Sequence, residues 1–345
     1  MKTSDFDFEL PPELIAQQPL PDRSESRMMV VDRAGRAIRH DRFMNFPAYL
    51  RQGEVLVLND TRVIPARLWG TKDGRDIEFL LVKEIEPGTW EALCRPARRL
   101  KPGDRVTFPE GYQAEVTAMG EEGGRSLRFT PNSVGDLMAR AGFAPLPPYI
   151  KRGKKLAHWR EEDLRRYQTV FAQRQGSIAA PTAGLHFTPG VLAALQDRGV
   201  EIATLTLNVG LATFQPVRAQ RLEDHRMLPE SYVISPQAAR AVNAARSESR
   251  PVVAVGTTSI RALESAAAAG GGRVLSGERS TDLFIRPGFQ FGIVDKLLTN
   301  FHLPQSTLLM LVSALAGLDL VKKAYAQAVR ERYRFFSYGD CMLII

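Results

Sequence analysis

The sequence predicts an α/β chain built on a largely parallel sheet, with a small antiparallel β-barrel inserted into it. Three observations lead there. After residue 160, apolar runs of strand length alternate with capped helical segments, the pattern of an α/β domain. Between about 67 and 150 the texture changes to short β-rich runs separated by glycine and proline turns, which suits a small barrel. The segment before 67 holds too few elements to fold alone. The expected division is therefore residues 1–66 and 151–345 as one main domain, with 67–150 as the insertion, a reasonable plan for 345 residues.

The elements follow in order. "MMVVDR" (28–33) and "EVLVL" (54–58) read as strands of the first segment. In the insertion, "IEFLLVKEI", "TWEALCR", "RVTF", "QAEVTAM" and "SLRFT" read as strands, and "EPG", "KPGD", "PEG" and "GEEGG" as turns. "APLPPYIKR" (144–152) reads as the linker back. Beyond it, "DLRRYQTVFAQR" has helical spacing and "SIAA" (177–180) reads as a buried strand. "TPGVLAALQDRG" places Thr188 as N-cap, Pro189 at the first helical position and Gly199 past the end. "VEIATLTLNVG" is a strand, and "SPQAARAVNAARSES" a helix capped by Ser235. "PVVAVG" is a buried strand leading into the helix "IRALESAAAA", which Gly270–Gly272 ends. "LPQSTLLMLVSALAG", capped by Ser306 or Thr307, and "DLVKKAYAQAVRERY" complete the helices.

Composition narrows the class. Two cysteines far apart, Cys94 and Cys341, exclude a disulfide framework and Cys-rich zinc patterns, and point to a reducing compartment. The acidic, proline-rich N-terminus does not read as an export signal, and "STLLMLVSALAGLDLV" is too short to span a bilayer, so a cytoplasmic protein is expected. The net charge of +8 concentrates in "RPARRLKPGDR" (95–105), "KRGKKLAHWREEDLRRYQTVFAQR" (151–174) and "VKKAYAQAVRERYR" (321–334). Each is either a solvated face or a polyanion site. Trp159, Tyr167, Tyr325 and Tyr333 among these cations favour nucleic acid, since aromatics stack on bases while cations hold phosphates.

The chemistry-bearing motifs are few. Walker A, a strand-following G-x-G-x-x-G, H-E-x-x-H and G-x-S-x-G are all absent. None of the five histidines pairs with another His or a Cys at ligand spacing, so no metal is expected. "VVAVGTTSIRALES" (252–265) sets Thr257, Thr258 and Ser259 at a helix start, where free backbone N–H groups and the helix dipole favour an anion, with Arg261 nearby. Equally, it is a well-capped helix in which Arg261 and Glu264 pair. "LVLNDTRVIPARL" (56–68) puts Asn59, Asp60, Thr61 and Arg62 after a strand, where open α/β sheets place ligand contacts, or else forms an Asx turn. "LLTNFHLPQSTLLMLV" (297–312) places Asn300 and His302 before a helix, and "AAPTAGLHF" (179–187) places His186 similarly. Both histidines read either as hydrogen-bonded core residues or as groups that move protons near neutrality.

Together with "PPELIAQQPLPDRSESRMMVVDR", "LCRPARRLKPGD", "YQTVFA", "TDLFIRPGFQF" and "YAQAVRERYRFFSYGDCMLI", these motifs occur in an order that resembles the S-adenosylmethionine:tRNA ribosyltransferase-isomerases of queuosine biosynthesis over nearly the whole chain. The resemblance implies a barrel-like α/β main domain with an inserted β-barrel, and no metal. It implies transfer and isomerisation of the ribosyl part of S-adenosylmethionine onto 7-aminomethyl-7-deazaguanine at the tRNA wobble position, with release of adenine and methionine. S-adenosylmethionine is then a consumed co-substrate rather than a resident cofactor, and the basic faces hold the anticodon stem-loop. His186, His302 and Asp60 become candidates for proton transfer, not individually assigned. Thr257, Thr258, Ser259 and Arg261 become candidates for holding the methionine carboxylate or an RNA phosphate, and Asn59, Thr61, Arg62, Thr182, Gly184 and Asn300 further substrate contacts.

Three departures, in two motifs, qualify the likeness. Asn208 and Ala212 stand in "LNVGLATF" where the family usually has His and Gly, and Leu228 stands in "HRMLPE" where the family often has a second His. Asparagine hydrogen-bonds but does not titrate near neutral pH, so the essential proton chemistry is expected elsewhere. The alternatives are a non-catalytic RNA-binding protein on the same scaffold, and an α/β enzyme of nucleotide or sugar-phosphate metabolism that binds no RNA. Intact "PTAGLHF", "GTTSIR" and "NFHLP" disfavour the first, and the basic faces disfavour the second.

Overall fold

The structure is a computed structural model that describes residues 1–152, 156–210, 217 and 219–345. The segment containing Ala212 and part of the basic stretch 151–174 fall outside these. The first segment supplies β1 (Arg27–Asp32), β2 (Ala37–Arg42), β3 (Val55–Asn59) and β4 (Thr61–Val63). The next six strands close on themselves: β5 (Arg67–Lys72), β6 (Arg75–Glu86), β7 (Thr89–Arg95), β8 (Arg105–Thr107), β9 (Gln113–Met119) and β10 (Gly124–Thr130). Their order is β10-β7-β6-β5-β8-β9, with every ladder antiparallel. Alternation drives the closure: Ala114 and Val116 of β9 face the barrel core, while Gln113 and Glu115 are exposed. Phe79, Phe108 and Phe129 pack with tilted rings in its core. Gly70 admits them, because a Cβ there would lie 2.6 Å from Val106. Helix α1 (Val134–Ala141) covers the barrel with Val134, Leu137 and Met138. The chain leaves where it came in, since Arg67 and Phe143 exchange backbone hydrogen bonds of 3.2 and 2.8 Å.

The remainder runs α2 (Leu156–Arg166), β11 (Arg174–Ser177), α3 (Pro189–Asp197), β12 (Glu201–Leu207), β13 (Glu230–Ile234), α4 (Pro236–Ser247), β14 (Val252–Val255), α5 (Thr257–Ala269), β15 (Gly277–Thr281), β16 (Lys296–Asn300), α6 (Thr307–Ala316), α7 (Leu318–Arg330) and β17 (Cys341–Ile344). Nine strands form one sheet in the order β15-β13-β12-β3-β14-β16-β17-β1-β2. Its centre, β12-β3-β14-β16, is parallel, as is β17-β1. The other four ladders are antiparallel. The sheet is thus mixed rather than largely parallel, because the β15–β13, β13–β12, β16–β17 and β1–β2 pairs run antiparallel. The closed barrel among the described residues is the inserted one.

The central strands are apolar on both faces and sort their residues with period two. Val55, Val57, Val252, Ala254 and Leu297 pack under α4–α7, while Leu56, Leu58, Val253, Val255 and Leu298 pack against α3 and the 3-10 segment Phe43–Tyr49. The helix starts match their caps: Thr188, Ser235 and Ser306 accept from the backbone N–H groups of Val191, Ala238 and Leu309 at 3.2, 3.1 and 3.2 Å. Three elements differ from expectation. In "SIAA" only Ser177 is strand, pairing with β4 in a separate two-stranded sheet, because its hydroxyl bonds the Ala179 and Val209 carbonyls and turns the chain. The helix expected over 163–174 ends at Arg166, where Tyr167 is drawn into the core. Helix α5 begins at Thr257, directly after Gly256, whose φ of +85° breaks the strand.

The proposed base-stacking aromatics are also corrected. Tyr167, Tyr325 and Tyr333 are buried, the last two on the apolar side of α7 and just beyond it. Trp159 is half-buried, with the Arg152 guanidinium 4.9 Å over its ring. Several cations of the same stretch serve the fold. Arg152 pairs with buried Asp163, Arg160 donates to the Gly142 and Ala139 carbonyls, and Arg166 to those of Leu20 and Pro21.

Candidate active site

A cavity of about 360 Å3 opens outside the carboxyl ends of β14 and β16, the usual place for a ligand in an open α/β sheet. Thr182, Thr257, Thr258, Arg261, Asn300 and His302 all line it. Four chain segments bring them together: the turn at Thr182–His186, the Gly256 break before α5, the end of β16, and the run into α6. Most of the remaining wall is apolar, including Pro148, Ala179, Ala180, Val209 and Phe301.

The end of β16 places its side chains alternately. Thr299 turns toward His302, and its hydroxyl lies 2.8 Å from the His302 Nε2. The backbone N–H of His302 donates to the Tyr325 hydroxyl at 3.0 Å, fixing the residue from the other side. The His302 Nδ1 has no hydrogen-bond partner among the described residues, and burial pulls the ring's pKa down to about 3, so it stands neutral at the wall. Asn300 turns the other way, with its Nδ2 3.1 Å from the His186 Nε2 and donating at 3.1 Å to the Phe336 carbonyl. His186 is not in the cavity. It lines a separate gap of about 20 Å3 with Arg23, Arg166 and Tyr338, packed against Phe43 at 5.4 Å between ring centres. Burial first, then the nearby Arg334 and Arg23 cations, pull its pKa to about 3 as well.

The anion site at α5 is also redrawn. Gly256 leaves the first turn without a side-chain cap, and the Thr257 and Thr258 hydroxyls stand at the cavity. Ser259 is fully buried, and its hydroxyl donates back to the Val255 carbonyl at 2.7 Å, so it does not serve a ligand. Arg261 is engaged by the protein: it pairs with buried Glu230 and donates to the Leu283 and Thr281 carbonyls. Nor does it pair with Glu264, whose carboxylate accepts from the backbone N–H groups of Gly292, Ile293 and Val294. Arg261 and Glu264 together tie the 281–294 segment to α5. Glu230 also accepts from the Gly210 N–H at 3.2 Å, so the charged part of the wall is a neutral pair.

The cluster after β3 stays outside. Asn59 accepts from the Thr61 and Leu207 N–H groups and donates to the Leu207 carbonyl, which stitches β3 to β12; its amide also reaches the Thr258 hydroxyl at 3.4 Å. Asp60 accepts from the Thr206 hydroxyl at 2.5 Å, and Thr61 donates to Asn208 at 2.9 Å. Arg62 is exposed on β4. Gly184 is a packing glycine, since a Cβ there would meet Phe171 at 2.8 Å and Thr169 at 2.9 Å. Among the described residues, no three His, Cys, Asp or Glu side chains gather as a metal site, and no helix is long and apolar enough to cross a membrane.

A family model described as "Queuosine biosynthesis protein" matches residues 3–344. The chain belongs to the queuosine biosynthesis protein family. Within it, the chain is 51% identical over 349 residues to the S-adenosylmethionine:tRNA ribosyltransferase-isomerase of Symbiobacterium thermophilum, covering all of both chains. It is 49% identical over 350 residues, again full length, to the enzyme of that name from Moorella thermoacetica. The crystal structure of an S-adenosylmethionine tRNA ribosyltransferase from Thermotoga maritima shares 38% identity and a TM-score of 0.56, covering 99% of this chain and 100% of that one.

In this queuosine-family chain two of the departures noted in the sequence, Asn208 and Leu228, are absent from the cavity wall, and Ala212 lies outside the described residues. Val209 and Met227 line the cavity, whereas Asn208 bonds Thr61 and Leu228 is exposed. Sequence reasoning missed Thr299, Tyr149 and Ser337, the last two joined by a 2.7 Å hydroxyl contact at one end of the wall. Nothing in the spacing marked Thr299, because strand alternation sets it on the face opposite Asn300, which also lines the cavity.

Proposed function

We propose that this chain is an S-adenosylmethionine:tRNA ribosyltransferase-isomerase that binds S-adenosylmethionine in the cavity at the ends of β14 and β16. Its product is epoxyqueuosine-tRNA, formed from 7-aminomethyl-7-deazaguanine with release of adenine and methionine. The observation that carries the site is the convergence of six sequence-nominated residues on that cavity. The uncapped first turn of α5, with Thr257 and Thr258, suits the methionine carboxylate. The apolar wall suits the nucleoside. Adjacent sulfonium charge acidifies the C5′ hydrogens, and His302, positioned by Thr299 at the cavity wall, is the group placed to accept a proton there.

S-adenosylmethionine acts as a consumed substrate, with no resident cofactor. The tRNA enters through its anticodon stem-loop, so that the wobble base reaches the cavity, and the exposed Arg62 contacts RNA. Work on tRNA supports a cytoplasmic location. Residues 67–150 act as a distinct inserted domain. The test incubates the protein with S-adenosylmethionine and tRNA bearing the aminomethyl base, and measures adenine and the modified nucleoside by mass spectrometry. Adenine release that requires that tRNA is expected; turnover of S-adenosylmethionine without it, or RNA binding without turnover, would contradict the reading.

A further inference from the structure

We infer that Arg23, with Arg166 beside it, holds a backbone phosphate of the tRNA strand whose wobble base enters the cavity. The inference deepens the tRNA reading above and rests on it. Arg23 and Arg166 line the gap of about 20 Å3 next to His186, a notch that adjoins the cavity through Ser337, which lines both. Arg23 is half-buried, and the protein engages only its Nη1, which donates to the Gln168 carbonyl at 3.0 Å. Its Nε and Nη2 have no partner among the described residues, and both stay open to water. Those two nitrogens form the parallel edge of a guanidinium, the fork that grips two oxygens of one phosphate. Arg166 is fixed nearby by the Leu20 and Pro21 carbonyls. Among the described residues no carboxylate pairs with either cation: Asp22 accepts from Ser24, Asp163 pairs with Arg152, and Asp340 with Arg334. Burial, then the Arg166 and Arg165 cations, lower the pKa of Arg23. Neighbouring like charges repel, and a bound anion relieves that repulsion.

Size and position identify the anion. A gap of about 20 Å3 admits one water-sized group, so the ligand lies outside the notch and presents an oxygen to it, which excludes a nucleoside. S-adenosylmethionine carries no phosphate, so tRNA is the polyanion that the reaction brings. Residues 67–150 hold twelve basic and twelve acidic side chains, so the whole excess of +8 belongs to the segments on either side, where the notch is. One stretch of chain joins the two openings. Pro148 and Tyr149 edge the cavity, Gln17 donates to the Tyr149 carbonyl at 2.9 Å, and Pro19 and Leu20 follow Gln17 to edge the notch. A strand with its base in the cavity passes over Tyr149 and Gln17 and sets a phosphate beside the wobble nucleotide on Arg23.

The experiment titrates the full-length protein with an anticodon stem-loop RNA bearing the aminomethyl base, over a range of salt concentrations. Arg23→Gln keeps a donor for the Gln168 carbonyl but has neither the charge nor the fork, while Arg23→Lys keeps the charge. Expected for Arg23→Gln is an affinity about tenfold weaker at about 0.1 M salt, with the slope of log Kd against log salt reduced by about one. Arg23→Lys should keep the slope and lose part of the affinity. S-adenosylmethionine titrated alone should bind Arg23→Gln as it binds the wild type, at the same melting temperature. A second measurement places a neutral methylphosphonate at each linkage flanking the wobble nucleotide in turn. One of these should weaken wild-type binding about tenfold and weaken Arg23→Gln and Arg23→Lys much less. Unchanged affinity and salt slope in Arg23→Gln, or no methylphosphonate that weakens wild-type binding, would overturn the inference. So would inorganic phosphate that competes with the RNA at matched ionic strength in the wild type but not in Arg23→Gln, because the notch would then serve the free ion. Should Arg23→Gln not fold, the methylphosphonate series in the wild type and Arg23→Lys still decides. Failure of the tRNA reading itself is separable, because the wild-type protein would then not bind the unsubstituted RNA.

Discussion

His186 and His302 lie on opposite faces of the end of β16, both buried and both held neutral, yet they have different freedom. His186 is held by Asn300 and sits among Arg23, Arg166 and Tyr338 away from the cavity. His302 stands at the cavity, with one ring nitrogen on Thr299 and the other with no partner among the described residues. The difference comes from alternation along one strand: Thr299 and Asn300 are consecutive, so they serve opposite faces. Burial and a neutral ring therefore do not identify a working histidine. What identifies it is whether a ring nitrogen remains available where substrate can reach.

The largest expected effect breaks the comparison if it goes the wrong way. His302→Ala should slow adenine release in a single turnover by about 10²- to 10⁴-fold, with S-adenosylmethionine still bound. A smaller loss there than in His186→Phe would invert the assignment. Next in size is Arg261→Ala, which strands the buried Glu230 carboxylate at the wall. Urea unfolding should show a loss of about 3–5 kcal/mol.

The two histidines should look alike in one respect, their effect on acid stability. Each has a folded pKa near 3, against about 6.5 when unfolded. Below pH 6.5 the unfolded chain binds protons that the folded chain does not, so stability falls as the pH drops from 6.5 toward 3. Replacing either ring by Phe should flatten that fall by about 1.4 kcal/mol per pH unit, read from unfolding curves at pH 7, 6 and 5. The smallest effect is expected at Asp60, whose carboxylate serves Thr206. Asp60→Asn should cost about 1 kcal/mol of stability and leave kcat close to wild type; a collapse of kcat would return Asp60 to the chemistry.

Much of this was legible in the sequence because local signals decided it. Ser235, Ser306 and Thr188 announced their helices, and five of the six strands of the barrel, all but β5, were marked by turns on either side. Apart from Ser259, the polar residues nominated after β14 and at the end of β16 did line the cavity. The similar cluster after β3 did not, because Asn59, Asp60 and Thr61 spend their hydrogen bonds on β12 and its continuation, and the chain runs straight on into β4. Spacing could not show that. Nor could it show that β17 lies between β16 and β1, since its pairing with β1 joins residues more than 300 apart. Basic stretches gave charge but not direction: Tyr325 and Tyr333 point inward, and Arg160 and Arg166 cap backbone carbonyls.

The central claim is that the cavity with His302 in its wall is where S-adenosylmethionine binds. Calorimetric titration of S-adenosylmethionine into the wild-type chain and into Thr258→Trp tests it most directly, since Thr258 lines the cavity and is only half-buried. The account predicts an affinity weaker by more than about tenfold in the variant, at an unchanged melting temperature. Equal affinity in the two proteins would contradict it.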